Sequence, residues 1–350
     1  MSLTTDLAER DFEQLVLCRD PGVGLRSVIA VHDTTLGPAL GGIRMRRYPN
    51  HDAAIADAMN LAQAMTSKAA LAGLPLGGGK SVIDADPTGP DKAALVAAHG
   101  RYIATLSGRY IPGVDMGMTV ADLDLVARTG ARVSSQRRDP SWYTARGVVR
   151  SILATAGWAG MPVGRVAVQG LGNVGRHVVD LLIRAGASVV VADLDDARVA
   201  AAVAAGTATA PASEILTADV DVLCPCAAGG VVDESLLDRL KARIVVGAAN
   251  NVLAADGVAG ALSELGVVHV PDFVANAGGL MACEAELRGT DDGLLEKVDA
   301  IADTALTVLR RAAGSHRGTV AEAVDMAHER LTTHRATRPT FPASCSATGR

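Results

Sequence analysis

The stretch from Arg165 to Asp193, RVAVQGLGNVGRHVVDLLIRAGASVVVAD, constrains the fold of this chain more than any other. Val166-Ala167-Val168 is a short β-prone run that leads straight into Gly170-Leu171-Gly172-Asn173-Val174-Gly175. Behind the glycines, Val174, Val178, Leu181 and Leu182 recur at helical spacing, and a second apolar run, Ser188 to Ala192, ends on Asp193. Strand, glycine turn, helix, strand and acid within about 30 residues is the context that a dinucleotide-binding motif requires. In that reading Gly170 permits the tight turn, Gly172 lets backbone approach a pyrophosphate and Gly175 lets helix and strand pack closely. The helix start offers free N–H groups and partial positive charge to phosphate. Asp193 would accept hydrogen bonds from ribose hydroxyls and repel a 2′-phosphate, which points to NAD rather than NADP.

Length and composition narrow the class. At 350 residues about two domains are expected, and 49% hydrophobic residues with 3% aromatics suit a well-buried α/β protein. The net charge of −5 and the lack of a long basic run disfavour nucleic acid or an anionic membrane as partner. No apolar run reaches a membrane span, and the start MSLTTDLAERDFEQ is unlike a signal or transit peptide. The five cysteines are odd in number and scattered, which fits a reducing cytoplasm, and no metal site is expected. Cys224-Pro225-Cys226 has neither redox nor zinc spacing and reads as strand-end packing.

Along the chain, Gln14–Cys18 and Leu25–His32 flank a Pro-Gly turn and predict a hairpin. Leu36 to Met45 carries Gly41-Gly42, which is either a turn or a place where backbone is approached closely. His51 to Gly73 predicts a helix with Ile55, Ala58, Met59, Ala62, Met65 and Ala69 on one face. Lys68 falls within or beside that stripe, where a lysine by itself reads as a snorkelling side chain. Gly77-Gly78-Gly79-Lys80-Ser81 is not a phosphate-binding P-loop, because Leu74 stands where the first glycine is needed. It predicts flexible or tightly turned backbone presenting Lys80 at a strand start, where burial or a nearby cation would make the lysine a usable base. Asp115 closes a strand ahead of a glycine, a place equally suited to catalysis and to capping a helix.

Residues 132–140 predict a polar loop between domains, and Thr144–Ala156 a helix. Beyond Asp193, alternating strands and helices imply a parallel doubly wound sheet. Leu294–Ala313 and Val320–Leu331 predict helices, and the tail from Thr332 predicts disorder.

With these segments in hand the chain resembles the glutamate, leucine, valine and phenylalanine dehydrogenases, most closely the leucine/valine/phenylalanine branch. The likeness runs from about Phe12 to Leu331, through GPALGG (37–42), AMTSK (64–68), LPLGGGKSVI (74–83), Gly113-Val114-Asp115, the dinucleotide motif, CPCA (224–227), GAANN (247–251) and PDFVANAGG (271–279). It implies a substrate-binding and catalytic α/β domain at 1–140, a Rossmann domain at 141–285, helices at 286–331 packing back on the first domain, a tail at 332–350, and a cleft between the domains. It implies reversible oxidative deamination of an apolar L-amino acid to a 2-oxo acid and ammonia by a cytoplasmic homo-oligomer. The catalytic residues it implies are Lys68, which binds the α-carboxylate with backbone at Gly41-Gly42, Lys80, which activates water, and Asp115, which exchanges protons with the amino group. Leu40, Met65, Met118 and Asn276 would meet substrate. Thr144, Gly170, Gly172, Asn173, Val174, Gly175, Asp193, Cys226, Ala227, Ala248, Asn250 and Asn276 would meet NAD.

Met118 replaces the usual threonine, and SSQRRDPSWYTA shortens the usual junction, so the pocket is expected to differ in shape from its relatives. The competing readings are a reductive aminase or imine reductase for an unusual 2-oxo acid or imine, and a non-catalytic NAD-binding protein.

Overall fold

A computed structural model describes residues 3–134, 139–315 and 317–337. Its strands are β1 (Gln14–Asp20), β2 (Leu25–Asp33), β3 (Ala39–Arg46), β4 (Gly77–Asp84), β5 (Tyr110–Val114), β6 (Arg165–Gln169), β7 (Ser188–Ala192), β8 (Ala208–Thr209), β9 (Val222–Pro225), β10 (Ile244–Val246) and β11 (Val268–Val270). In the N-terminal half the helices are α1 (Leu3–Glu9), α2 (His51–Leu71), α3 (Lys92–Thr105) and α4 (Val120–Ala127). They are followed by α5 (Ser141–Trp158), α6 (Gly175–Arg184), α7 (Asp196–Ala204), α8 (Glu234–Leu237), α9 (Gly257–Glu264), α10 (Asp272–Ala275) and α11 (Gly278–Arg288). The last three are α12 (Leu294–Asp299), α13 (Ile301–Ser315) and α14 (Thr319–Thr337).

The first five strands form a mixed sheet in the order β1-β2-β4-β3-β5. β1 and β4 run antiparallel to β2, whereas β4 and β5 run parallel to β3. Strand alternation sorts side chains between two faces. Ile43, Met45 and Ile83 pack with Val96 of α3 and Leu123 of α4, while Val28, Ala30 and Val82 pack with Ala58, Met59 and Ala62 of α2. Thr119 starts α4 with a reciprocal capping box to Asp122.

The glycines of β4 are extended strand rather than turn. Their need is steric: a Cβ on Gly77 would lie 1.9 Å from the Asp33 carbonyl oxygen, and one on Gly78 would lie 2.1 Å from the Thr66 hydroxyl. On Gly79 it would lie 2.8 Å from the Tyr110 ring. At Gly41-Gly42 the close-approach alternative is the one realised, within strand β3.

The other six strands form an all-parallel sheet in the order β11-β10-β9-β6-β7-β8. The order reverses between β6 and β9, the switch point at which doubly wound sheets bind ligands. Helices α5, α6 and α13 cover one face, and α9 contributes Val258 and Leu262 to the core of the other.

Two expectations change near the C-terminus. The helix foreseen over 294–313 divides at Ala300, because α12 packs on α11 and α5 while α13 packs on α5 and α14. The tail foreseen from Thr332 is helical to Thr337, since α14 lies back along α2. There Arg330 donates to the carbonyl oxygen of Ala70, in the last turn of α2, at 2.5 Å. The expected loop at 135–138 and the tail at 338–350 lie outside the described residues.

Replacing Gly78 by alanine should force α2 off β4 and cost about 3 kcal/mol, the upper part of the range for overpacking. Thermal unfolding measures this, and a melting temperature equal to that of the unaltered protein would contradict the packing described.

Candidate active site between two sheets

The α2 face of the first sheet carries Leu40, Gly42 and Arg44 on β3, Lys80 on β4 and Ile111 on β5. Lys80 is 6% exposed, and its Nζ lies 2.6 Å from Oδ2 of Asp115, which follows β5. The same Oδ2 accepts a hydrogen bond from Arg44 Nε at 3.0 Å. Gly42 makes room for the carboxylate, because a Cβ there would lie 2.6 Å from that of Asp115. Lys68 approaches from the last turns of α2, close enough to Lys80 to feel its charge.

Burial lowers the Lys68 pKa to about 8, with Lys80 adding to the effect and Asp272 and Cys283 opposing it. Burial also lowers that of Lys80, against the pull of Asp115, and the Arg44 charge adds to the lowering. For Asp115 burial alone would raise the pKa, but Lys80 and Arg44 outweigh it and hold the carboxyl below the usual range. Lys80, which burial disposes to lose its proton, thus pairs with a carboxylate that stays ionised, and Lys68 lies within range of the Lys80 charge, an arrangement able to take up and pass on protons.

Asn276 reaches the same region from the second sheet, between α10 and α11. Its Nδ2 donates to the carbonyl oxygen of Ala248 (3.1 Å) and to Oδ1 of Asn250 (3.0 Å), both just beyond β10. Its own Oδ1 is buried with no partner among the described residues, an acceptor whose desolvation a ligand donor would offset. Gly278 and Gly279 bring this loop onto the start of α5, where a Cβ on Gly279 would lie 2.5 Å from the Thr144 hydroxyl. Leu40, Ile111, Ala277, Leu280, Val298 and Ile301 form one apolar cluster across the two halves, with Met65 and Tyr143 packed against it.

At the switch point lies a cleft of about 460 Å³, lined among others by Gly170, Gly172, Asp193, Leu194, Cys226 and Ala227. Gly170 has φ +93°, which favours glycine, and a Cβ on Gly175 would lie 1.9 Å from the Gly170 carbonyl oxygen. An added Cβ on Gly172 would meet nothing within 4 Å, so its face is open to the cleft. Asn173 and Val174 lead into α6, whose N-terminus has no side-chain cap, while the Arg176 and His177 N–H groups bond back to the carbonyl oxygens of Gly172 and Val174. Asp193 accepts from the Leu171 N–H at 2.5 Å and the Asp195 N–H at 2.9 Å, which ties the glycine loop to the end of β7. An open glycine, a helix start without a side-chain cap and the Asn276 amide oxygen fit a dinucleotide lying from Asp193 to Asn276.

One sequence expectation for a side chain reads differently in three dimensions. Met118 is 8% exposed and packs with Met45, Leu123 and Val126 on the α3/α4 face, so the structure does not bring it to the lysines. Cys224 and Cys226 lie with sulfurs 3.7 Å apart, the first buried in the core and the second on the cleft wall. Arg44, Asp57 and Asp272 were missed from sequence. Alternation along β3 from Gly42 would have shown Arg44 had that segment been read as strand, whereas Asp57 and Asp272 join only through packing. Among the described residues no group of three or more His, Cys, Asp or Glu side chains is placed to hold a metal ion.

The family model described as Glu/Leu/Phe/Val dehydrogenase, dimerisation domain, matches residues 13–132, and that described as Glutamate/Leucine/Phenylalanine/Valine dehydrogenase matches residues 194–333. A leucine dehydrogenase of Bacillus cereus is 40% identical over 347 residues, 96% of this chain and 95% of the relative. The chain belongs to the Glu/Leu/Phe/Val dehydrogenase family. It is an amino-acid dehydrogenase, an oxidoreductase with a dinucleotide-binding domain. A valine dehydrogenase of Streptomyces virginiae is 41% identical over 315 residues, 86% of this chain and 88% of the relative. Among solved structures, the L-tryptophan dehydrogenase from Nostoc punctiforme superposes with a TM-score of 0.84 at 34% identity, covering 95% of this chain and 100% of that one.

The last two glycines of the loop should separate binding from folding. Gly172→Ala should leave the melting temperature unchanged and weaken NADH binding about tenfold or more, whereas Gly175→Ala should lower both. Nucleotide fluorescence titration and thermal unfolding distinguish the two effects, and equal behaviour of the variants would contradict the assigned roles.

Proposed function

We propose that this dehydrogenase catalyses the reversible, NAD-dependent oxidative deamination of an apolar L-amino acid to its 2-oxo acid and ammonia. The observation that carries the reading is the Lys80–Asp115 pair at 2.6 Å, set beside Lys68 on the glycine-cleared face of β3 and β4. In this reading Lys68 and backbone at Gly41-Gly42 hold the substrate carboxylate. The apolar cluster around Leu40, Met65, Ile111 and Val298 receives the side chain, which favours branched or aromatic substrates.

NAD is favoured over NADP because Asp193, at the ribose end of the cleft, repels a 2′-phosphate. Gly170, Gly172, Asn173, Val174 and Gly175 would cradle the pyrophosphate, with Cys226 and Ala227 on the opposite wall. Ala248, Asn250, Asn276 and Thr144 would meet the nicotinamide end. The chemistry NAD supplies when bound is acceptance of the substrate's α-hydride. Lys80 in its neutral form takes a proton from the water that attacks the resulting imine carbon. Asp115 passes protons to and from the nitrogen as the carbinolamine collapses to 2-oxo acid and ammonia. Closure of the two halves on the substrate excludes other water.

A cytoplasmic homo-oligomer is the favoured setting. Residues 13–132 match a dimerisation domain, and β1 is an edge strand whose Leu17 is 50% exposed. Among the described residues no helix is long and apolar enough to cross a membrane.

The test is NADH oxidation with ammonia and a panel of 2-oxoisovalerate, 4-methyl-2-oxopentanoate, phenylpyruvate, indolepyruvate and 2-oxoglutarate. Turnover of an apolar 2-oxo acid should require ammonia, and 2-oxoglutarate should be the poorest substrate. Lys80→Ala should abolish turnover while NADH still binds. Oxidation of NADH by a 2-oxo acid without ammonia would instead indicate a carbonyl reductase, and a fully active Lys80→Ala would remove the assigned base.

A further inference from the structure

Arg44 lies where a single side chain meets two carboxylates. Its Nε donates to Asp115 Oδ2 at 3.0 Å, and its Nη1 donates to Asp57 at 3.1 and 3.3 Å. Asp57 projects from α2 and accepts the Tyr48 hydroxyl at 2.6 Å, while the Tyr48 backbone N–H donates to Asp84 at 3.0 Å. The guanidinium is therefore held from behind, and only 16% of its side chain is exposed. The result is a continuous line, Tyr48–Asp57–Arg44–Asp115–Lys80, in which Asp115 Oδ2 is shared between one cation that can lose its proton and one that cannot.

That difference matters for a base. A buried lysine paired with a lone carboxylate holds its proton tightly, because deprotonation would leave an uncompensated buried charge. A guanidinium stays charged at any working pH and can bridge two acids with separate nitrogens, which an ammonium cannot. With Arg44 present, Lys80 can become neutral while Asp115 keeps a cation at hydrogen-bond distance.

We propose that Arg44 is a positioning residue that keeps Asp115 ionised and in place while Lys80 cycles between its charged and neutral forms. The proposal rests on the assignment of Lys80 as base. The other groups around the pair act with or against it. Asp57 favours a charged Lys80, and Lys80 in turn disfavours a charged Lys68 on α2. Tyr110 of β5 donates to the Gly41 carbonyl oxygen at 2.8 Å, and His99 of α3 bonds Ser81 behind the strand at 2.9 Å. Burial keeps both of these neutral, His99 with a pKa of about 3.

The sign follows. Arg44 lowers the Lys80 pKa and stabilises the Asp115 carboxylate, so neutralising it makes Lys80 hold its proton to higher pH. The measurement is kcat against pH for oxidative deamination at saturating NAD. The substrate is whichever of L-leucine, L-valine, L-phenylalanine and L-tryptophan turns over fastest. The rising limb should move to higher pH by about one unit or more in Arg44→Gln, a loss of about tenfold at pH values below it. Arg44→Lys retains the charge and should leave the limb within a few tenths of a unit of the unaltered enzyme, although kcat falls with the lost bridge. Asp57→Asn removes an anion and should move the limb toward acid. These two variants decide the matter if Arg44→Gln does not fold.

A fall in kcat with an unmoved limb in Arg44→Gln, or an equal shift in Arg44→Lys, would show that Arg44 is merely structural. Lys80→Ala separates the two levels of inference. An inactive Lys80→Ala with an unmoved Arg44→Gln limb overturns the role of Arg44 alone. An active Lys80→Ala overturns the base assignment and this proposal together.

Discussion

An added methyl carbon at Gly78 would lie 2.1 Å from the Thr66 hydroxyl, and one at Gly41 would lie 1.7 Å from the Gly79 carbonyl oxygen. These contacts let α2 rest directly on β4, with β3 pressed against β4 beside it. The remaining chemistry of the first sheet depends on that closeness. It brings Lys68 of α2 near enough to Lys80 of β4 to feel its charge, and it sets Asp57 of α2 against Arg44 of β3. Larger side chains on either strand would separate the charges and let water between them. The glycines serve the active site by steric absence, with their freedom of turn unused here.

Packing the charges together has an electrostatic consequence. Among Lys68, Lys80, Arg44, Asp57 and Asp115 there are three basic and two acidic side chains, and burial penalises the charged forms of Lys68, Lys80, Arg44 and Asp115. The least costly adjustment is loss of a lysine proton, since Arg44 cannot lose its own. A proton acceptor near neutral pH thus arises from crowding as much as from any single neighbour. Asp272 belongs to the same balance from the other half of the molecule: it favours the charged form of Lys68 across the cleft, and burial raises its own pKa.

The second sheet contributes by topology. Its strand order reverses between β6 and β9, so the chain ends of the two strands diverge and leave the cleft that Gly170, Asp193 and Ala227 line. The loop after β11 then carries Asn276 toward the first sheet, and its glycines dock on α5. One apolar cluster, from Leu40 on β3 to Ile301 on α13, spans the two halves. The face that carries Lys80 and the loop that carries Asn276 are therefore joined through shared packing.

The dinucleotide motif was legible from sequence because all its parts lie within one strand-helix-strand unit, where residue spacing alone sets geometry. The N-terminal hairpin and α2 were legible for the same reason, from period-two and helical patterns that local backbone enforces. Lys68, Lys80 and Asp115 could be singled out by residue type and by resemblance, but their convergence depends on which strands are neighbours. Gly77–Gly79 looked like a turn because isolated glycines favour one, and only the flanking backbone of β2, α2 and Tyr110 holds them extended. Met118 looked like a pocket residue because it stands where the resembling dehydrogenases carry a threonine, yet the turn after Asp115 directs it into the opposite core. Arg44 and Asp115 are 71 residues apart, and no local spacing relates them. Their meeting was decided by the parallel pairing of β3 and β5 and by packing against α2, which are properties of the folded chain.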